Sequence, residues 1–131
     1  MDPKYIFSVA QKAIIKKGDK ILILKRSPTA HVYPEHWDFP GGKIEHGEKP
    51  ASALEREVKE ETSLIVKVNK PVFTYLEESF AQAIVIIYES KLISGTVTLS
   101  GEHTEYAWKT KKEILKMKIE PYLRTYLEEE K

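Results

Sequence analysis

The sequence predicts a mixed α+β (α/β) fold in which a mixed β-sheet is flanked by helices. Strand-like and helix-like segments follow one another in the order strands, helix, strands, helices. One central segment, Ala83 to Tyr88, is almost wholly apolar, as expected of a strand buried on both faces. Since a chain of 131 residues has the length of one typical domain, we expect a single domain over residues 1–131.

Composition and charge exclude several classes of protein. With 41% hydrophobic and 31% charged residues, the chain has globular rather than disordered composition. A net charge of +1 gives no strong attraction to nucleic acid, so we expect no stable nucleic-acid partner and a local site for any anionic substrate. The absence of cysteine excludes disulfides, thiolate zinc sites and cysteine nucleophiles.

Targeting signals are also missing. The longest apolar run falls far short of the roughly 20 residues that span a bilayer, and the first residues do not resemble a secretory signal. We therefore expect a cytoplasmic protein without a membrane partner. The sequence leaves the oligomeric state open, a homodimer included.

Element boundaries follow from periodicity and from proline and glycine. Phe7 to Ile15 and Ile21 to Leu24 are predicted to form a β-hairpin, and Ser27 to Gly47, rich in proline and glycine, an ordered loop. Pro50 opens a helix over Ala51 to Glu61. The remaining predictions are strands at Leu64–Val68, Val72–Leu76, Ala83–Tyr88, Thr96–Leu99 and Tyr106–Lys109, and helices from Thr110 to Met117 and from Pro121 to Glu128.

The predicted first helix carries three acidic residues on one face. At 100° per residue, Glu57, Glu60 and Glu61 lie within an arc of about 100°. Their mutual repulsion destabilises the helix unless a cation lies over them. Mg²⁺ and Mn²⁺ prefer such oxygen ligands. The alternative is an ordinary solvated face, as on many helices rich in Glu and Lys.

The segment from Gly42 to Leu64 resembles the Nudix box. It has a glycine, Glu48, then Arg56-Glu57-Val58 and Glu60-Glu61 at the spacing of that motif, with Ser63 in place of the last glycine. Trp37-Asp38-Phe39-Pro40 and the order of elements also resemble the compact MutT-like members. The resemblance implies a Nudix α/β/α sandwich and hydrolysis of a nucleoside diphosphate linked to another group, with activity retained despite Ser63.

The resemblance also implies roles for individual residues. Mg²⁺ or Mn²⁺ would be bound by Glu57, Glu60, Glu61 and the carbonyl of Gly42. Arg56, paired with Glu48, would orient the cluster, and Glu57 would act as the base or deprotonating ligand. The catalytic residues are thus expected to be Glu57, Glu60 and Arg56. A fourth carboxylate would come from Glu102, with Glu105 as the alternative.

The resemblance also implies that Arg26, His31 and Phe39, which precede the box, contact the substrate. The alternative is that they have no binding role and are a strand end, a loop histidine and a core residue. Tyr75, Phe80, Tyr88 and Trp108 are candidates for base stacking or for the core. Ile119 stands where relatives that read oxidised guanine have asparagine. The resemblance favours hydrolysis of a nucleoside triphosphate to monophosphate and pyrophosphate. Another nucleotide substrate (ADP-ribose, a nucleotide sugar, an RNA 5′ end) and a non-catalytic nucleotide-binding module are the alternatives.

Overall fold

The computed structural model describes residues 2–79 and 82–130. The strands are β1 (Ser8–Ile14), β2 (Lys16–Lys17), β3 (Lys20–Arg26), β4 (Trp37–Asp38), β5 (Gly41–Lys43), β6 (Ile65–Glu77), β7 (Ala83–Ser94) and β8 (His103–Lys109). The helices are α1 (Pro50–Thr62), α2 (Lys111–Ile114) and α3 (Pro121–Glu129), and a 3-10 turn covers Pro3–Tyr5. Among the described residues, no helix is long and apolar enough to cross a membrane.

The strands form two four-stranded sheets. In the first, with the order β5-β1-β7-β6, β1 and β7 run parallel while the outer pairs are antiparallel. In the second, β3 lies between β2, β4 and β8, all antiparallel to it. The prediction of mixed strand directions is confirmed, and β7 is a central strand as its apolar sequence indicated.

Helices cover both sides of these sheets. Successive side chains of a strand point to opposite faces, and Leu22 of β3 packs with Leu54 and Val58 of α1, while Ile23 packs with Leu123 of α3. Each face thus has its own apolar core, one under α1 and one under α2 and α3. The predicted arrangement of helix, sheet and helix layers is confirmed.

The predicted opening hairpin is wrong in its pairing. Only the closed end of the hairpin forms, where β2 pairs with the start of β3 and the Leu22 N–H donates to the Ile15 carbonyl at 2.9 Å. Strand β1 itself pairs with β5 and β7. Both segments are strands, but the chain bends near Ile15 and passes from one sheet to the other. Alternating apolar residues identify strands without specifying their partners.

Several boundaries also differ from the prediction. The segments predicted on either side of Pro71 form the single strand β6, with an irregular register at the proline. Thr96–Leu99 is not a strand, because the Thr98 N–H donates to the Thr62 carbonyl at the end of α1. The predicted loop contains β4 and β5, and α2 ends at Ile114. Phe80 lies outside the described residues.

Candidate active site

Helix α1 turns its acidic face toward β5. Leu54 and Val58 anchor the adjoining stripe of the helix in the core, which brings Glu61 against the Gly41-Gly42 segment. The Gly41 N–H donates to Oε1 of Glu61 at 2.9 Å, and Glu61 is only 5% exposed. Burial raises the pKa of Glu61 to about 7, although Lys12 and the Gly41 hydrogen bond oppose the shift.

Glu57 lies one turn before Glu61 and closest to Gly42. A Cβ atom on Gly42 would lie 2.9 Å from Oε2 of Glu57, so a larger residue at this position would displace the carboxylate. Burial, more than any neighbouring charge, raises the pKa of Glu57. Arg56 opposes this shift, while the charges of Glu60 and Glu102 add to it.

Arg56 connects the loop before α1 to the acidic face. Its Nε and Nη2 donate to Oε2 of Glu48 at 3.0 Å and 2.8 Å, as the predicted pairing requires. Its Nη1 donates to both carboxylate oxygens of Glu60 at 2.9 Å and 3.0 Å. Glu60 is therefore held by a guanidinium on the exposed side of the helix, a contact that the sequence did not indicate.

A divalent cation fits the chemistry of this face. Glu57 and Glu61 are carboxylates desolvated by the protein, and their pKa values are raised where a bound cation would lower them. Within residues 2–79 and 82–130, no group of three acidic or histidine side chains is already gathered to hold a metal. Glu60 would have to leave Arg56 in order to join Glu57 and Glu61.

The structure separates the two candidates for a fourth carboxylate. Glu102 lines the same cavity as Glu57 and Glu61, and its charge contributes to the raised pKa of Glu57. Glu105 lies on β8 and pairs with Lys25 at 3.2 Å on the exposed surface. The geometry favours Glu102.

A cavity of about 720 Å³ extends from the acidic face across β1 and β7. Arg26 and His31, both predicted to contact substrate, line it. The Nε of Arg26 donates to the carbonyl of Val32 at 2.8 Å, and its Nη1 lies 3.6 Å from Oδ2 of Asp38. The guanidinium is thereby fixed along the cavity wall.

Several aromatic residues lie away from the cavity. Phe39, predicted to contact substrate, is fully buried and packs edge-on against Tyr122 and Tyr126, and it does not line the cavity. Tyr75, Tyr88 and Trp108 pack in or against the two cores. Two other aromatics line the cavity instead, Tyr33 from the loop after β3 and Tyr122 from α3.

Sequence reasoning missed a buried polar cluster at the cavity floor, formed by Lys12, Asp38, His103 and Glu120. Lys12 Nζ pairs with Oδ2 of Asp38 at 3.0 Å, and His103 Nε2 lies 3.7 Å from Oδ1. Burial would raise the pKa of Asp38, but the charge of Lys12 and the neighbouring His103 and Glu120 side chains lower it well below its usual range. Burial and then Asp38 raise the pKa of Glu120.

The pKa of Lys12 follows from the same cluster. Burial lowers it, and the acidic groups of Asp38, Glu120 and Glu61 together outweigh that effect, so the pKa stays above its ordinary value. Lys12 is therefore a charged ammonium at neutral pH. The only sequence signal for this cluster is a lysine inside an otherwise apolar strand and acids in Trp37-Asp38 and before Pro121.

The fold places helices on both sides of the sheets and turns an acidic helix toward a cavity. Comparison with known proteins identifies the family that shares this arrangement. The model of the NUDIX domain matches residues 7–129. The chain belongs to the Nudix family, as a MutT-like pyrophosphohydrolase that acts on nucleoside diphosphate derivatives.

Individual relatives agree with this assignment. The CTP pyrophosphohydrolase of Escherichia coli K12 is 30% identical over 110 residues, which cover 83% of this chain and 80% of that protein. A MutT-like protein of Streptomyces ambofaciens is 27% identical over 92% of this chain and 73% of its own length. The crystal structure of a MutT protein from Methanosarcina mazei Go1 superposes with a TM-score of 0.85 at 29% identity, covering 93% of this chain and 91% of that one.

Proposed function

We propose that this protein hydrolyses a nucleoside triphosphate to the monophosphate and pyrophosphate, with Mg²⁺ or Mn²⁺ bound at the acidic face of α1. The observation that supports this most is the continuity of the cavity. Glu57, Glu61, Arg26 and His31 all line it, and it has room for a molecule of nucleotide size.

Relatives of matched length support the substrate class. The Escherichia coli relative is named CTP pyrophosphohydrolase, and a relative from Enterobacter sp. 638, 29% identical over 77% of this chain and 80% of its own length, is named nucleoside triphosphatase NudI. Both names describe removal of phosphate groups from nucleoside triphosphates. We propose the same substrate class, nucleoside triphosphates, for this chain, without a particular base.

The side chains would divide the work by position. Glu57, Glu61 and the Gly42 carbonyl, joined by Glu60 and Glu102, would hold the cation, which when bound neutralises phosphate charge and lowers the pKa of a water molecule. Glu57 would accept the proton that this water loses. Arg26 would orient the triphosphate through the paired N–H donors of its guanidinium. Arg56 would hold the loop before α1 against the helix through Glu48.

The test is a substrate panel with product analysis. Purified protein is incubated with nucleoside triphosphates, 8-oxo forms, ADP-ribose, nucleotide sugars and capped RNA, with Mg²⁺, with Mn²⁺ and with chelator. The proposal expects monophosphate and pyrophosphate from triphosphates, only with metal, and loss of turnover in Glu57→Gln. Turnover confined to ADP-ribose, nucleotide sugars or capped RNA would show that the substrate is not a nucleoside triphosphate. Metal binding without any turnover would indicate a binding module.

A further inference from the structure

The cavity floor contains a flat strip of small side chains on two adjacent strands. On β1, Ser8, Ala10 and Lys12 alternate with residues that point away, so these three face the cavity together. Ala83 and Val85 of β7 lie beside Ser8 and Ala10 in the parallel ladder and also line the cavity. Such a strip accommodates a planar ring lying flat on the sheet.

The strip ends at the ammonium group of Lys12. Its Nζ donates to Oδ2 of Asp38 at 3.0 Å and to the Gly41 carbonyl at 3.5 Å, and it lies 6.0 Å from the centre of the Tyr122 ring. An ammonium carries three N–H donors. Among the described residues only two acceptors are in reach, which leaves one donor for a ligand.

A purely structural ion pair is the simpler explanation of Lys12, but it accounts poorly for the site. Desolvation of both charges offsets most of the attraction in a buried pair, and apolar replacements are often as stable. A second observation points to a ligand. Oε2 of Glu120, in the same cavity, is buried and accepts no hydrogen bond from the described part of the chain.

The groups around this end of the strip are mainly donors. Lys12 and Arg26 have no acceptor atoms, and Nη1 of Arg26 lies 4.0 Å from Oε2 of Glu120. Burial and the charge of Asp38 raise the pKa of the Glu120 carboxyl, which favours its protonated, donating form. An exocyclic amino group of a base would meet donors here, whereas an oxo group would meet its complement.

We propose that Lys12 is a specificity-determining residue that donates a hydrogen bond to an exocyclic oxo group of the substrate's nucleobase. This inference rests on the proposed function and adds base selectivity to it. Uracil, hypoxanthine and guanine carry the oxo group that the site recognises, while cytosine and adenine carry an amino group in the equivalent place. A binding site discriminates strongly against a base that leaves one of its buried polar groups without a hydrogen-bond partner.

The test compares kcat/KM for UTP with CTP and for inosine triphosphate with ATP, since each pair exchanges an oxo for an amino group. The wild-type protein is expected to favour the oxo nucleotide by about tenfold or more in at least one pair. In Lys12→Met the ratio should fall to within about threefold of unity, mainly through loss on the oxo nucleotide. Lys25→Met, which removes an exposed lysine paired with Glu105 outside the cavity, is the matched control and should keep the wild-type ratio.

Each outcome of this comparison either supports or overturns the role of Lys12. Equal kcat/KM values in both pairs for the wild-type protein would overturn the inference without any variant, and so would an unchanged ratio in folded Lys12→Met. If that variant does not fold, Lys12→Arg keeps the charge opposite Asp38 but moves the donor, and it should reduce the ratio; a wild-type ratio there would contradict us. Failure of all four nucleotides alike would overturn the proposed function, and this inference with it.

Discussion

Arg56 donates two hydrogen bonds to one oxygen of Glu48, from Nε at 3.0 Å and from Nη2 at 2.8 Å. The other oxygen of Glu48 accepts the Glu45 N–H at 2.8 Å. Through Nη1, the same guanidinium also holds Glu60. One arginine therefore fixes the loop before α1 and contacts two of the three acids, since its Nη2 also donates to Oε1 of Glu57 at 3.4 Å.

This arrangement predicts that Glu48→Gln impairs activity more than stability. The variant keeps the size of the side chain and loses the charge that orients Arg56, so we expect kcat to fall about 10- to 100-fold, as for other groups that orient metal ligands. The thermal midpoint should change little, because the pair is partly exposed. Steady-state kinetics and thermal unfolding measure the two effects.

The matched control for that experiment is Glu128→Gln. It breaks an exposed pair with Arg124 on α3, with a separation of 3.9 Å, far from the acidic face. Both kcat and the thermal midpoint should match the wild-type values. A loss of kcat in Glu128→Gln as large as in Glu48→Gln would show that a nonspecific charge effect, and not the Arg56 contact, explains the result.

The fourth carboxylate is tested by a pair of variants on one segment. We expect Glu102→Gln to raise the Mg²⁺ concentration for half-maximal activity several-fold, because Glu102 lines the cavity beside Glu57. Glu105→Gln should leave the Mg²⁺ requirement unchanged, because Glu105 pairs with Lys25 outside the cavity. Magnesium titrations of activity distinguish them, and the reverse ranking would exclude Glu102 as the ligand.

The raised pKa of Glu61 predicts how the stability of the metal-free protein, in the presence of chelator, depends on pH. Its pKa of about 7 in the folded protein lies above the unfolded value of about 4.3. The folded protein therefore binds more protons between these values, and the stabilisation from this group is present below about pH 4 and lost as pH rises through about 7. The loss amounts to at most about 4 kcal/mol.

Urea unfolding of the wild type and of Glu61→Gln at pH 5 and pH 8 measures this effect, since the difference between the two proteins isolates one group. The stability of the variant should decrease less over this range. Added Mg²⁺ should stabilise the wild type more at pH 8 than at pH 5, because the cation binds the ionised carboxylate. Identical pH dependences in the two proteins would refute the assignment of the pKa to Glu61.

Ser63 has the left-handed backbone conformation that favours glycine, with φ of 65° and ψ of 9°. This conformation costs a non-glycine residue roughly 1–2 kcal/mol, while glycine gains about 0.4–1 kcal/mol of entropy in the unfolded chain. We therefore expect Ser63→Gly to stabilise the protein by up to about 1 kcal/mol, with unchanged activity. Denaturant unfolding provides the measurement.

The comparison for Ser63 is Ser52→Gly, an exposed position inside α1. There the backbone is helical, so glycine should destabilise the protein by about 0.5 kcal/mol. Opposite signs at the two serines would confirm that backbone conformation determines the effect. Destabilisation by both substitutions would contradict it.

Local features were predictable because their causes are local in sequence. Pro50 and the helix-forming residues after it predicted α1, and Thr110 with Glu113 predicted a capping box, which the structure contains. The Arg56 to Glu48 contact spans eight residues and was implied by the motif. In each case one short segment contains the residues that interact.

The features that sequence did not reveal depend on distant segments. Strand β1 pairs with β7, about 75 positions away in the chain, and no residue pattern in β1 names that partner. Lys12, Asp38 and Glu120 meet only because three elements converge at the cavity floor. The burial of Phe39 could not be read from the sequence, because an aromatic residue beside a glycine pair suits a core as well as a binding site.

The central claim is that the acidic face of α1 performs metal-dependent hydrolysis of a nucleoside triphosphate. The most direct measurement is pyrophosphate release from the best triphosphate as Mg²⁺ is titrated, for the wild type, Glu57→Gln and the exposed α3 control Glu129→Gln. We predict saturable, chelator-sensitive release in the wild type and the control, and a loss of at least about 100-fold in Glu57→Gln with its fold intact. Pyrophosphate release by Glu57→Gln at the wild-type rate would contradict the account.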